Sequence, residues 1–194
     1  MKLGAVERGS GATGKLKLLA ASAVLRDRAP DVLRTMLYRP EFFGRDFLRY
    51  THQLMRGPSE WTVGERELFA GYVSQLNKCS FCTTMHCSIA SKVLGQEVVE
   101  AALSDRPGAS LPPQVRGALA FLEKLMKQPR LLGGRDVHDA LAAGITETGL
   151  MTVVHVGVNF SIINRIADAL GFEIPSTTSV ARLGSLLLRV GYKF

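Results

Sequence analysis

No stretch of this chain alternates apolar and polar residues as a half-buried strand must, and no internal repeat is visible. A sheet protein and a solenoid are both excluded as expectations. No apolar run approaches the roughly 20 residues of a membrane-spanning helix. The nearest thing to a signal peptide, Leu18–Leu25, is short and lies behind a polar, Gly-rich lead. Nor is charge concentrated. The formal charge is +7, yet Lys15, Lys17, Arg26, Arg28, Arg34, Arg39, Arg45 and Arg49 are spread through residues 1–50 with five acids among them. No dense basic run with interleaved aromatics forms, so the charge reads as solvated faces rather than a nucleic-acid surface. Cysteine is scarce as well. Three is an odd number, against a disulfide framework and in favour of a reducing cytoplasm without membrane attachment.

What is present is helical punctuation. At 194 residues and 46% hydrophobic, with mean hydropathy +0.12, the chain can bury one proper core. Pro30 and Pro40 suit the first turns of helices, with Asp31 and Glu41 at their positive ends. Thr62-Val63-Gly64-Glu65 spells a capping box that opens a helix to about Asn77. A second helix is expected from near Cys79 to Val93, before Gly95. Others follow at 96–103, 114–127, 135–143 and, capped by Thr146, from there to Leu170. An amphipathic segment, Val180–Val190, comes last. A Pro/Gly-rich connection at 104–113 separates halves too small to stand alone. The expected architecture is all-α: a flexible leader over residues 1–14, then one helical domain over 15–194.

The chemistry gathers in Lys78-Cys79-Ser80-Phe81-Cys82-Thr83-Thr84-Met85-His86-Cys87, where all three cysteines and one of four histidines fall within nine residues. On a helix, Cys79, Cys82 and His86 are three and four apart and share one face. Cys79 would sit at the helix start, where free N–H groups and the dipole favour a thiolate. A CxxC there can close a disulfide across one turn. A zinc site built from Cys79, Cys82, His86 and Cys87 is the alternative. Its spacing is compressed, and Cys87 points about 100° away from His86, as a small core thiol would. A helix–turn–helix over 62–93 also brings Glu67, twelve residues before Cys79, toward this helix, although periodicity does not bury it. Gly9–Lys15 meets GxxxxGK, but Leu16 stands where a hydroxyl is needed and no strand precedes it. His52, His138 and His155 stand alone, His138 on the surface and His155 as a core residue of the apolar run Met151–Val158.

Glu67, Cys79, Cys82 and His86 together resemble the E-x11-C-x2-C-x3-H signature of AhpD-type alkylhydroperoxidases in the carboxymuconolactone decarboxylase superfamily. The texture around them, with Asn159-Phe160 and Asn164-Arg165-Ile166-Ala167-Asp168-Ala169-Leu170, is similar to its peroxidase-related branch. The resemblance covers about residues 35–175. It implies an all-helical AhpD-like fold assembling as a homotrimer or homohexamer. It also implies a thiol-dependent reduction of organic hydroperoxides without a cofactor or metal. Cys82 then corresponds to the peroxide-attacking thiol and Cys79 to its disulfide partner. His86 corresponds to the proton relay and Glu67 to its base, which together raise the thiolate fraction of Cys82. A lipoyl-type or thioredoxin-like dithiol would restore the pair. Phe81 departs from members that carry an imidazole between the cysteines, and Cys87 lies outside the signature. General thiol–disulfide exchange on the same site, or a non-catalytic oligomeric module, stand as alternatives.

Overall fold

Thr62 opens the first of the two helices that carry the quartet. Its hydroxyl accepts the Glu65 backbone N–H at 3.2 Å, and the Glu65 carboxylate accepts the Thr62 N–H at 2.8 Å. This is the reciprocal capping box that the sequence predicts. The computed structural model describes residues 1–104 and 111–193, and only the backbone of Phe42 and Phe43. Among the described residues every regular element is helical. The order is α1 (Gly4–Arg8), α2 (Ala12–Leu25), α3 (Asp31–Tyr38), a π-turn (Pro40–Gly44), α4 (Arg45–Arg56), α5 (Val63–Leu76) and α6 (Ser80–Leu94). It continues with α7 (Gln96–Leu103), α8 (Pro113–Lys127), a 3-10 turn (Pro129–Leu131), α9 (Gly134–Ala142), α10 (Glu147–Leu170) and α11 (Thr177–Val190). Most of the expected connection at 104–113 lies outside the described residues.

Helices α5 and α6 form an antiparallel pair, and two glycines one heptad apart set how closely they meet. A methyl group on Gly64 would come within 2.8 Å of Val93 and Leu94, and one on Gly71 within 2.7 Å of Cys87 Sγ. Helix α10 crosses α5 on one side, α8 packs beside both, and α11 lies along α6. Phe69, Met55, Leu119 and Val153 sit in one apolar cluster that runs from Leu25 to Tyr192. Burying such side chains contributes about 1.5–3 kcal/mol each, before conformational entropy is set against it. Leu18, Ala29, Leu33 and Leu37 form a small satellite under α2 and α3.

Three expectations meet a different outcome. Residues 1–14 hold α1 and the start of α2 rather than a loose leader. The Lys2 N–H donates to the Leu170 carbonyl at 2.6 Å, and Val6 is buried. His155 is exposed, not in the core, and shares a 2.7 Å hydrogen bond with the Tyr50 hydroxyl. Its helix face, with Met151, Val158 and Ile162, points outward. Helix α10 is also apolar and long enough to cross a membrane by length and composition; here it threads the core, with 50% of its most apolar window buried.

Candidate active site

The turn between α5 and α6 places the cysteines. Helix α5 ends in a Schellman motif: the Lys78 N–H bonds the Gln75 carbonyl at 2.9 Å, and the Cys79 N–H bonds the Ser74 carbonyl at 2.9 Å. Lys78 holds the left-handed position at φ 61° that glycine usually takes. The residue just beyond this motif is Cys79, which is at once the N-cap of α6. One residue thus ends one helix motif and begins the next, with its sulfur at the positive end of α6. Asn164 on α10 clamps the turn from above. Its amide donates to Ser74 Oγ at 3.0 Å and accepts from Asn77 Nδ2 at 2.9 Å.

The quartet comes together as expected of a helical hairpin. Glu67 is fully buried, and each carboxylate oxygen has a purpose. Oε2 lies 2.6 Å from His86 Nδ1. Oε1 accepts from Arg56 Nη2 at 2.7 Å and from the Tyr192 hydroxyl at 2.9 Å. Burial alone would raise the Glu67 pKa. The His86 hydrogen bond and charge, then the Arg56 guanidinium, outweigh it and hold the group below its ordinary value. Tyr192 goes the other way: burial, and then the neighbouring Glu67 charge, push its hydroxyl well above the usual tyrosine range. It therefore acts as a donor to the carboxylate. Arg56 also stacks over the Tyr192 ring, with the guanidinium carbon 5.0 Å from the centroid.

With Glu67 ionised, the His86 proton belongs on Nδ1. In the neutral ring this leaves Nε2 as a free base. The ring is buried, and its edge-to-face contact with Phe160, at 4.4 Å between centroids, fixes its tilt. His86 and Cys82 both line a cavity of about 100 Å³. Its walls are almost wholly apolar, with Leu33, Met36, Phe47, Met85, Phe160 and Leu187 among them.

The two sulfurs are each 1% exposed and unbridged. Their protons are divided unequally. The Cys82 thiol, presented to Cys79 Sγ, holds the Cys79 pKa below its ordinary value, against burial and with help from the Cys82 backbone N–H. Cys82 is pushed far up, first by the Cys79 sulfur and then by burial. Of the two sulfurs, Cys79 is thus the one favoured as a thiolate, whereas the family resemblance assigns the attacking thiolate to Cys82. Asp168 opposes a full charge on Cys79 through its own carboxylate. Cys87 is pushed up to about 11 by burial, as an inert core thiol should be. No group of three or more His, Cys, Asp or Glu suited to a metal ion occurs among the described residues.

Arg56, Tyr192, Asn159 and Asn164 belong to the site but were not assigned roles from sequence. Only the two asparagines carried a signal, through the Asn159-Phe160 and Asn164–Leu170 resemblance. His52 gains a structural part: its Nδ1 accepts the Tyr192 backbone N–H at 3.2 Å and so anchors that tyrosine. His138 is exposed, as expected.

No protein-family model matches the chain, and no curated protein matches it. Solved structures do. A peroxidase-related protein with an alkylhydroperoxidase AhpD core, from Ralstonia eutropha JMP134, matches with TM-score 0.76 at 22% identity, covering 89% of this chain and 90% of its own. A peroxidase-related protein from Silicibacter sp. TM1040 matches with TM-score 0.75 at 22% identity, covering 88% of each chain. The debrominase Bmp8 follows with TM-score 0.69 at 17% identity, covering 89% of this chain and 90% of its own. A cysteine-to-alanine variant of Bmp8 that matches equally well is a complex with 2,3,4-tribromopyrrole. The chain therefore has the all-α AhpD-like fold.

Proposed function

We propose that this chain is a thiol-dependent alkylhydroperoxidase that reduces organic hydroperoxides through Cys82 and Cys79. One observation carries the reading: a thiol and a carboxylate-backed imidazole, Cys82 and His86, face the same apolar cavity. His86 Nε2 takes the Cys82 proton. The thiolate attacks the terminal peroxide oxygen, the O–O bond breaks, and the sulfur loses two electrons to become a sulfenic acid. The departing alkoxide takes the proton back from His86 and leaves as the alcohol. Cys79 then gives up its thiol proton and attacks the Cys82 sulfur, the S–O bond breaks, and the hydroxyl leaves with that proton as water. A disulfide forms across the first turn of α6. An external dithiol, lipoyl-type or thioredoxin-like, returns two electrons by exchange, as a reducing cytoplasm would allow. Glu67 keeps His86 in the required tautomer and steadies the transient imidazolium, while Arg56 and Tyr192 keep Glu67 ionised. A homotrimer or homohexamer belongs to this reading, supported by the outward apolar stripe of Met151, Val158 and Ile162.

A second reading, thiol–disulfide exchange with small disulfides, is favoured by the lowered pKa of Cys79. Stopped-flow consumption of cumene hydroperoxide by the reduced protein, with thiols counted before and after, separates the two. Loss of two thiols per chain, abolished in Cys82→Ser, is expected. Thiols inert to peroxide but oxidised readily by lipoamide disulfide would replace the first reading with the second. Turnover of 2,3,4-tribromopyrrole in place of peroxide would replace both.

A further inference from the structure

Most buried polar atoms around the site have partners, and one that does not points to a ligand. Asn159 sits on α10 with no exposure, in the wall of the cavity shared by Cys82 and His86. The Thr51 hydroxyl, from α4, donates to Asn159 Oδ1 at 3.0 Å. Nδ2, on the other side of the amide, has no partner. A buried N–H left unpaired costs about 1–3 kcal/mol. Such a group is kept where something else supplies the acceptor part of the time. Around it the cavity is hydrocarbon, so an acceptor that enters must arrive on an apolar body.

The chain segments outside the family resemblance build much of this enclosure. Leu25 and Leu33 come from α2 and α3, and Leu183, Leu187 and Tyr192 from α11 and the residues after it. About 100 Å³ of such space is the liquid volume of some three waters at roughly 30 Å³ each; the pocket is not closed, so the head of a small organic molecule fits inside and its remainder extends toward the mouth. Waters would find few polar partners here; a compact organic molecule finds apolar walls and one donor.

We propose that this cavity is a substrate pocket selective for compact apolar molecules bearing one hydrogen-bond acceptor, and that Asn159 Nδ2 is the donor that receives it. Resting on the alkylhydroperoxidase reading, this makes Asn159 a specificity-determining residue. It holds the oxygen-bearing end of a compact organic hydroperoxide on the wall that Cys82 and His86 occupy. Hydrogen peroxide has no apolar body to fill the remaining space and gains little from the pocket.

The test uses the reduced full chain and two redox-inert probes of the same shape, acetophenone and α-methylstyrene, which differ by a carbonyl oxygen in place of a methylene. Titration calorimetry on the unmodified protein is expected to show acetophenone binding roughly tenfold more tightly. Asn159→Leu should lower acetophenone affinity by about that factor and leave α-methylstyrene bound at least as well. The paired change Thr51→Val with Asn159→Leu, which leaves no hydroxyl orphaned, should do the same if the single variant folds poorly. Equal affinity of the two probes for the unmodified protein, binding of neither, or equal loss of both in the variants overturns the proposal. Because the probes carry no peroxide bond, the outcome is independent of the thiol chemistry. Ketone preference with peroxide-inert thiols would sink only the enzymatic reading, and peroxide reduction without ketone preference would sink only this one.

Discussion

Replacing Glu67 by glutamine exchanges one oxygen for an amino group and should disable the proposed proton relay. The native carboxylate accepts three hydrogen bonds, from Arg56, Tyr192 and His86, at 2.7, 2.9 and 2.6 Å. Glutamine can keep the first two through its carbonyl oxygen. Its NH₂ then faces His86 Nδ1 and can only donate, so the imidazole must carry its proton on Nε2. The proposed base becomes a donor, and the proposed route for the Cys82 proton to His86 is closed. General-base contributions of this kind are typically about 10²–10⁴ in rate. Arg56 meanwhile loses its counter-ion, although it keeps the Met55 carbonyl at 2.9 Å and the Leu187 carbonyl at 3.1 Å. Breaking a buried pair outright costs roughly 3–5 kcal/mol; with these contacts retained, a cost of about 2–4 kcal/mol is expected. That leaves a typical domain of about 5–15 kcal/mol still folded. Trp61, the single tryptophan, lies buried edge-on to Phe69 at 4.9 Å and reports unfolding in urea. The expected result is a folded, somewhat weakened protein whose cumene hydroperoxide reaction is at least one hundred-fold slower, on the order quoted above. A variant destabilised to this extent that reacts at the unmodified rate would refute the reasoning and leave Glu67 a purely structural ion-pair partner.

Three further outcomes follow from the same contacts. Tyr192→Phe removes a hydrogen bond to a buried charge and should cost about 1.5–3 kcal/mol in urea unfolding; an unchanged midpoint would mean that the tyrosine only fills space. Protonating His52 destroys the acceptor for the Tyr192 N–H. Its pKa is held below the ordinary 6.5 by burial, then by Lys193 and Arg56. A folded pKa below the unfolded one gives stability that is present above the unfolded value and lost as pH falls through the folded one. Exchange of the Tyr192 amide should therefore speed up below about pH 6.5, beyond the intrinsic trend, and His52→Gln should remove that rise. Lys78→Gly relieves the left-handed strain at φ 61° and should raise stability by about 0.5–1 kcal/mol, after the extra freedom of glycine in the unfolded chain is subtracted. A fall in stability would show that the Lys78 side chain contributes more than its backbone costs.

The parts of the fold that were legible in sequence are those written in local code. Thr62 and Glu65 announce a helix start within four residues, Thr146 announces another, and the Cys79, Cys82 and His86 spacing defines one helix face whatever the rest does. Glu67 came from family pattern, since its neighbours Leu68 to Val73 are buried on every side and mark no polar face. Arg56 and Tyr192 were beyond reach. Tyr192 meets Glu67 across 125 residues of chain, and no spacing rule links such groups. His155 misled because α10 is apolar on its outward side too, so an apolar neighbourhood in sequence did not mean burial. The glycines near the start read as looseness, yet Gly14 is buried where α2 meets Ser10 and Leu37.

The cysteines end up with almost no surface of their own, and this sorts their visitors by girth. A cavity of about 100 Å³ beside Cys82 admits a compact oxidant, but no folded partner can press its own sulfur against a pair that is 1% exposed. In the proposed peroxidase cycle, two half-reactions sharing one pair of atoms would face unequal traffic: oxidation would wait on diffusion of something small, and reduction on something long. A slender tethered dithiol, threaded in like a key on a flexible shaft, suits that passage better than the broad face of a thioredoxin-like domain. Where only broad-faced reductants are present, the disulfide form would accumulate, and the protein would spend its working life oxidised.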